Sequence, residues 1–423
     1  MRSALVILLL ALSVSALGQG NYLLIDRQTY DQYLRNDYKN LKRTSGNAIA
    51  QGIDFYYLRM RIGILSYNHQ RYRQAVNHFT KAIEFNSWDT ISREYIYYSY
   101  LFAGRYGDAN LFLSSIPRDK KNYTLKHLKP SSISNTYLST SASAYDAFFY
   151  STNSLYYEAM ESNLGLSAGV ESYFSPRLRG NFVYTYFSKK GKAYSSATPE
   201  GKTIDFTQNQ LYARLTRLVF PGWEFTGFGH YAMYNDIFSS VQAGTGRRAS
   251  RGKLISEYLG GIGIIKNSWY LRGGVSASYS NFGKSNQLRG EGHLMYLPFA
   301  NLNLYFTAGG MYQTDTNWGS TYQVNQEIGL RVCKYFWLEG GAIQGNAFLY
   351  ARNLGIAVNN SYLIPSSTIY SNLIFLVGKR FSVTLTPYFS ENHLYSWDII
   401  NYTRTDRVVV NSYGINLKIN IKN

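Results

Sequence analysis

From Tyr413 to Ile421 the chain alternates strictly. Tyr413, Ile415, Leu417, Ile419 and Ile421 fall on one side; Ser412, Gly414, Asn416, Lys418 and Asn420 fall on the other. Period two is the mark of a strand with one apolar and one polar face. Such a strand near a chain end has an open edge, and pairing it with the first strand of the same sheet closes a barrel. The same period recurs upstream. Leu164, Leu166, Ala168 and Val170 alternate with Gly165, Ser167, Gly169 and Glu171. Trp269, Leu271, Gly273, Val275, Ala277 and Tyr279 alternate with polar or small residues, as do Leu302, Leu304, Phe306 and Ala308, and Phe381, Val383, Leu385, Pro387 and Phe389. Each run has about the length that crosses a bilayer when tilted. The pattern predicts an antiparallel transmembrane β-barrel over 131–423, its apolar faces toward lipid.

The predicted connections are of two kinds. Tight ones sit at Ser175-Pro176, Phe220-Pro221-Gly222, Asn267-Ser268, Phe299-Ala300-Asn301, Lys334-Tyr335 and Lys379-Arg380. Long polar ones sit near 189–205, 236–252, 314–321, 348–368 and 394–405. Six tight turns, with one strand added at each end, predict about fourteen strands, the first near 132–145 and the last near 406–421. A further pair could hide in 350–363, so the range is about twelve to sixteen. Phe174, Phe220, Trp223, Trp269, Phe299, Tyr335, Phe336 and Phe381 flank the tight turns, where an interfacial aromatic girdle belongs. Fourteen strands about 4.8 Å apart and tilted about 40° enclose a backbone diameter of roughly 28 Å.

Upstream, the period changes. From Asn21 to about Pro130 the chain favours helix, with apolar residues three and four apart, and Pro130-Ser131-Ser132 reads as the hinge. RYRQAVNHFTKAI and RYGDANLFLSSI repeat at 34 residues: Tyr72 recurs as Tyr106, Ala75 as Ala109, Phe79 as Leu113, and Ala82 as Ile116, while Gly63 lies twelve before Ala75. Small Ala75 lets two helices approach and Phe79 fills the gap a turn later. This resembles the tetratricopeptide repeat, with units at 56–89 and 90–123. Arg59, Tyr97 and Ser87 depart from its usual Trp, Gly and Pro. The resemblance implies a docking face for another protein, or a spacer. His69 and His78 read as surface or packed residues.

Before this module, Arg2, the apolar run Ala4 to Leu12 and the small residues Ala16-Leu17-Gly18 read as a signal peptide over 1–18, leaving the helical module as 19–130. The fold class expected is therefore α + β and multi-domain: helical repeat first, barrel second.

Composition narrows the function. Aromatics reach 17%, with 41 tyrosines, charged residues are only 16% and the net charge is +18. In an exported chain that basic balance suits anionic lipid or polysaccharide and speaks against nucleic acid. Cys333 is the single cysteine, which excludes an internal disulfide and a four-cysteine zinc site. No cofactor motif is present.

The polar faces would line the lumen. Glu257, Arg272, Arg289, Glu291, His293, Glu327, Arg331 and Glu339 are the pore-lining candidates, with the arginines able to bridge to the glutamates. Two readings stay open for them: a constriction for a polar solute, or salt bridges that fill the barrel. Glu291 and His293 share a face, but no serine joins them, so the chain is not read as an enzyme. The basic loop GRRASRGK, 246–253, could grip lipopolysaccharide phosphates or be merely solvated.

Ser412, Gly414, Leu417 and Ile419 resemble the carboxy-terminal assembly signal of outer-membrane barrels, although the chain continues to Lys422 and Asn423. That resemblance implies a role for the barrel-assembly machinery and a bacterial outer-membrane location, with the helical module in the periplasm. A signal peptide, a short repeat module and a barrel together resemble the YaiO-type outer-membrane proteins and, less closely, the exopolysaccharide exporters with their longer repeat arrays. Two functions follow as expectations: a pore or exporter for a polar or saccharide solute, or a non-transporting anchor that scaffolds envelope partners.

Overall fold

A computed structural model describes residues 21–117, 133–145, 156–195, 198–235, 254–317, 319–347, 350–359, 364–378, 380–398 and 403–422. The expected signal peptide and hinge at 130–132, the stretch 246–253 and positions 118–123 of the second sequence repeat lie outside the described residues. Two units are present.

The first is helical: α1 (described over 21–34), α2 (Tyr38–Ala50), α3 (Tyr56–Asn68), α4 (Tyr72–Phe85), α5 (Thr90–Phe102) and α6 (Tyr106–Ser115). Asp37 and Asp89 begin α2 and α5, the Asp37 carboxylate accepting the Asn40 N–H and that of Asp89 the Ile91 and Ser92 N–H groups. The starts of α3 and α5, and of α4 and α6, are 34 residues apart. The turns repeat too: Gln70 and Gly104, also 34 apart, are left-handed at φ 58° and 71°. Gly63 and Phe79 show why α3 and α4 pack closely. A Cβ on Gly63 would stand 2.8 Å from the Phe79 ring, which is itself fully buried. Ala75, Ala82 and Ala109 are also fully buried, and Leu113 and Tyr72 are buried, but Tyr106 is exposed. His78 accepts a hydrogen bond from Arg59 at 3.2 Å on Nδ1; burial, then the Arg59 charge, lower its pKa to about 4.

The second unit is a closed barrel. In chain order its strands are β1 (Ile133–Tyr145), β2 (Tyr156–Ser175), β3 (Leu178–Ser195), β4 (Thr198–Phe220), β5 (Trp223–Asn235), β6 (Leu254–Asn267), β7 (Leu271–Ser280), β8 (Gln287–Tyr296), β9 (Leu304–Asp315), β10 (Gly319–Cys333) and β11 (Phe336–Gly345). A short pair, β12 (Tyr350–Arg352) and β13 (Ala357–Asn359), stands apart from the barrel sheet. The barrel continues with β14 (Ile364–Val377), β15 (Phe381–Asp398) and β16 (Thr403–Lys422). Among the described residues the barrel has fourteen strands, each antiparallel to its neighbours, closed by β1 on β16. Leu138 faces Ile419 and Thr140 faces Leu417 across that seam.

Alternation sets the two faces. Leu138, Leu166, Leu211, Ile262, Val275, Leu288, Ile328, Ile369 and Ile415 are exposed on the outside. Their neighbours in sequence point inward. Five of the six tight turns form within the described residues; at the sixth, Lys379 lies outside them, and the flanking Val377 pairs with Phe381. The first and last barrel strands begin and end at that same end: Asn135 pairs with Lys422, and Phe381 with Ile421.

The long connections differ from expectation. The stretch 189–205 is not a loop: β3 and β4 stay paired out to Ser195 and Thr198. The connection at 314–321 shrinks to 316–318. β15 and β16 are paired as far as Asp398 and Thr403. A polar stretch can extend a hairpin because ladder hydrogen bonds satisfy the backbone whatever the side chains; polarity alone does not separate strand from loop.

Candidate functional site

The site lies in the lumen, where β12 and β13 fold inward as a hairpin. Arg352 faces Ala357 and Tyr350 faces Asn359. The tip turns through Asn353, Leu354 and Gly355, at φ 54°, 58° and 80°, with the Gly355 N–H bonded to the Arg352 carbonyl at 3.1 Å. Left-handed φ at two consecutive central residues is the hairpin turn that favours Asn or Gly at both places. Asn353 and Gly355 suit it. Leu354 does not, and a left-handed non-glycine residue costs about 1–2 kcal/mol.

What offsets that cost is the wall. Tyr212 of β4 donates its hydroxyl to the Leu354 carbonyl at 3.0 Å. His230 of β5 bonds the Gly355 carbonyl through Nδ1 at 2.8 Å, so Nδ1 carries the proton. The Nε2 of His230, whose side chain is 4% exposed, has no partner. From β8, the Glu291 carboxylate accepts the Asn353 N–H at 2.9 Å and the Leu354 N–H at 3.4 Å. Around these bonds Tyr137, Val183, Tyr212, Phe228, Leu259, Phe282, Ala351 and Ile364 form one buried apolar cluster, with Leu354, Ile356 and Val358 packed on it. The strand ends of the hairpin lean the other way, with Tyr350 and Ala347 on Met311 of β9. On the outer side of the same strands runs a shallow groove lined mostly by outward residues such as Leu138, Phe182, Leu211 and Ile419; it is not the lumenal site.

The facing wall is built otherwise. Tyr305, Tyr370 and Tyr388 each lie over the glycine directly opposite on the next strand, Gly329, Gly341 and Gly414. A Cβ on any of these glycines would come within 2.4 Å of the ring. Tyr137 lies on Gly169 in the same way. The flattened rings aim their hydroxyls sideways at carboxylates. Tyr305 donates to Glu339, and Tyr370 donates to Glu327 at 2.8 Å. Asn372 donates to Glu339 at 2.6 Å and is in turn bonded by Thr386 at 2.8 Å.

All eight pore-lining candidates sit on the inward side of their strands, but the structure gathers them into separate groups. Glu327 and Glu339 belong to the phenolic wall. Glu291 holds the hairpin. Arg289 donates to Gln313 at 2.7 and 3.0 Å, and Glu257 accepts from Tyr234 and from the Gly283 N–H at 2.8 and 2.6 Å. Both are buried, at 3% and 1% exposure. Arg331 lies over the Trp337 ring at 4.8 Å. Arg272 and His293 project from β7 and β8. The expected bridging of Arg289 to these glutamates is replaced by bonds to neutral Gln313, directly opposite on β9. Sequence reading missed the lumenal ion pair of Arg179 with Glu224 at 2.8 Å, and the contacts of Tyr212 and His230. Strand parity would have placed all four inward; nothing local signals their partners. Ser412 and Gly414 face the lumen, Leu417 and Ile419 the lipid side. Among the described residues no cluster of metal-ligating side chains is present.

No protein-family model matches the chain, and no curated protein does. Solved structures do. The toluene transporter TodX of Pseudomonas putida has 8% identity over 72% of this chain and 92% of its own, with a TM-score of 0.42. A Pseudomonas aeruginosa FadL homologue has 10% identity over 77% and 94%, with a TM-score of 0.45. A bacterial polysaccharide outer membrane secretin has 8% identity over 69% and 99%, with a TM-score of 0.39. At these values the likeness concerns the barrel fold alone.

Proposed function

We propose that the chain is an outer-membrane channel whose passage is controlled by the lumenal hairpin. The observation that carries this is the hairpin's attachment. Its tip is held to the wall by side-chain hydrogen bonds with Tyr212, His230 and Glu291, inside a barrel roughly 28 Å across the backbone, too wide for wall side chains alone to close. The exposed apolar band outside supports a lipid setting, and the tight-turn end, where the barrel's chain ends lie, is read as the periplasmic one. The helical unit is read as tetratricopeptide-like, of the YaiO-type arrangement, docking a periplasmic protein. Outer-membrane lipid, lipopolysaccharide and the barrel-assembly machinery are the other partners, and no catalytic role is assigned.

The polar or saccharide solute expected from the sequence has the Glu327–Glu339 wall in its favour. The wall that grips the hairpin is apolar and argues for a less polar one. Planar-bilayer recording tests the channel. The native chain should conduct little, and a chain with 350–359 replaced by a Gly/Ser stretch of equal length should conduct steadily. If the replaced barrel inserts, shifts mobility on heating and stays silent, the anchor reading takes its place. The burial of Glu257 and Arg289 is what favours that second reading.

A further inference from the structure

The wall beneath the hairpin is unlike the rest of the lumen. A water-filled barrel has reason to present polar groups inward, yet Val183, Phe228 and Leu259 of β3, β5 and β6 all point there, and among the described residues they pack with Leu354, Ile356 and Val358 of the hairpin and with Phe282. Between them stand two donors, the Tyr212 hydroxyl and the His230 Nδ1–H, both spent on carbonyl oxygens. One acceptor, Glu291, is spent on two amide N–H groups. A second nitrogen of His230 is buried without a partner. Donors for C=O, an acceptor for N–H, and apolar surface between them describe one kind of ligand.

We propose that this wall is a binding site for a small, uncharged, apolar amide, a short apolar peptide being the simplest case, and that the hairpin tip fills it as an internal stand-in. The proposal rests on the channel reading above and names its solute. Each alternative class leaves a polar group stranded. A hydrocarbon leaves the Tyr212 and His230 donors and the Glu291 carboxylate without partners in a site closed from water. A carboxylic acid brings its negative charge toward Glu291. A sugar brings hydroxyls against Phe228, Val183 and Leu259. The amide satisfies all three polar groups, as the chain's own Asn353-Leu354-Gly355 does. The internal ligand is also a poor one, since it binds with Leu354 in the left-handed region. An external amide carries no such strain and can displace it.

The test uses the peptide acetyl-Asn-Leu-Gly-Ile-amide, a copy of 353–356, titrated calorimetrically into purified protein in detergent. The full chain, where the hairpin competes, should bind weakly. The chain with 350–359 replaced by Gly/Ser should bind about tenfold more tightly or better. Adding Tyr212→Phe and His230→Ala to the replaced chain should weaken binding by about tenfold, the loss of two neutral hydrogen bonds. Naphthalene and octanoate serve as hydrocarbon and acid probes; either binding the replaced chain as tightly as the peptide overturns the amide assignment. Equal peptide binding by full and replaced chains, or none by either, overturns the site. If the replaced chain fails to show heat-modifiable mobility, peptide-induced conductance of the full chain takes its place: millimolar peptide should open it, and silence overturns the site. Bilayer recording of the replaced chain separates the two readings. Steady conductance without peptide binding defeats only this site, and peptide binding by a silent barrel defeats only the channel.

Discussion

Two walls of one lumen use tyrosine for opposite ends. On the strands from β9 through β11 to β14, Tyr305 and Tyr370 lie flat on glycines and give their hydroxyls to Glu339 and Glu327, carboxylates of the same wall. On β4, across the barrel, Tyr212 gives its hydroxyl to the backbone of the hairpin. The first wall is complete in itself. The second is complete only while something sits on it. Side chains that satisfy one another stiffen a barrel; side chains satisfied by a detachable segment make a site, because whatever replaces the segment must supply the same partners.

Removing the carboxylate on each wall should break the comparison most sharply. Glu291→Ala takes away the acceptor for two hairpin N–H groups, and a hydrogen bond to a charged group contributes about 1.5–3 kcal/mol. The closed state should lose about 2–4 kcal/mol, so open probability in a planar bilayer should rise by well over tenfold. Glu327→Gln, on the facing wall, should leave open probability near native, because its partner Tyr370 belongs to the wall. Equal opening by both variants would mean the walls are not distinct.

A smaller effect separates the stiffening wall from its own outer face. Gly340 and Gly341 are adjacent on β11. A Cβ on Gly341 would stand 2.4 Å from the Tyr370 ring, whereas one on Gly340 meets nothing within 4 Å. Gly341→Ala forces the ring off its seat, an overpacking cost of about 1–3 kcal/mol. The temperature of the heat-induced mobility shift should fall for Gly341→Ala and hold for Gly340→Ala. Two equal shifts would mean the tyrosine seats add no rigidity. Gly414→Ala, beneath Tyr388, should behave like Gly341→Ala, which gives this residue of the terminal strand a packing role in addition to any part in assembly.

How much of this was legible follows from distance along the chain. The strict alternation at Tyr413–Ile421 and the six tight turns are local, so the barrel, its closing seam and its strand number could be read directly. The 34-residue repeat was local too, and the helix starts follow its period, with Gly63 lying against the buried Phe79 ring. The stretch 350–363 read as part of a long loop that could hide a further barrel pair; the pair exists but stands outside the barrel sheet, and its polar and apolar residues do not distinguish a lumenal hairpin from an outer loop. The tyrosine seats depend on register: Tyr388 reaches Gly414 only when β15 and β16 pair as they do. The site depends on contacts still farther apart. Glu291 and Asn353 are separated by 62 residues, and His230 and Gly355 by 125. A carboxylate on an inward position reads as a charge in a pore; only the fold shows that it holds a backbone.

The smallest test concerns a single neutral hydrogen bond. Tyr212→Phe keeps the ring in the apolar cluster with Val183 and Phe228 and removes only the hydroxyl that bonds the Leu354 carbonyl at 3.0 Å. Such a bond contributes about 0.5–1.5 kcal/mol, so the closed state should weaken and open probability should rise by about three- to tenfold, less than for Glu291→Ala. Tyr370→Phe is the matching change on the facing wall. It leaves the Glu327 carboxylate without its donor, so it should lower the temperature of the mobility shift and leave gating unchanged. The pair therefore predicts a crossed result, gating for one and stability for the other. If Tyr212→Phe lowers the stability of the barrel and leaves conductance at the native level, the hairpin is a fixed part of the wall, and the distinction between the two walls falls with it.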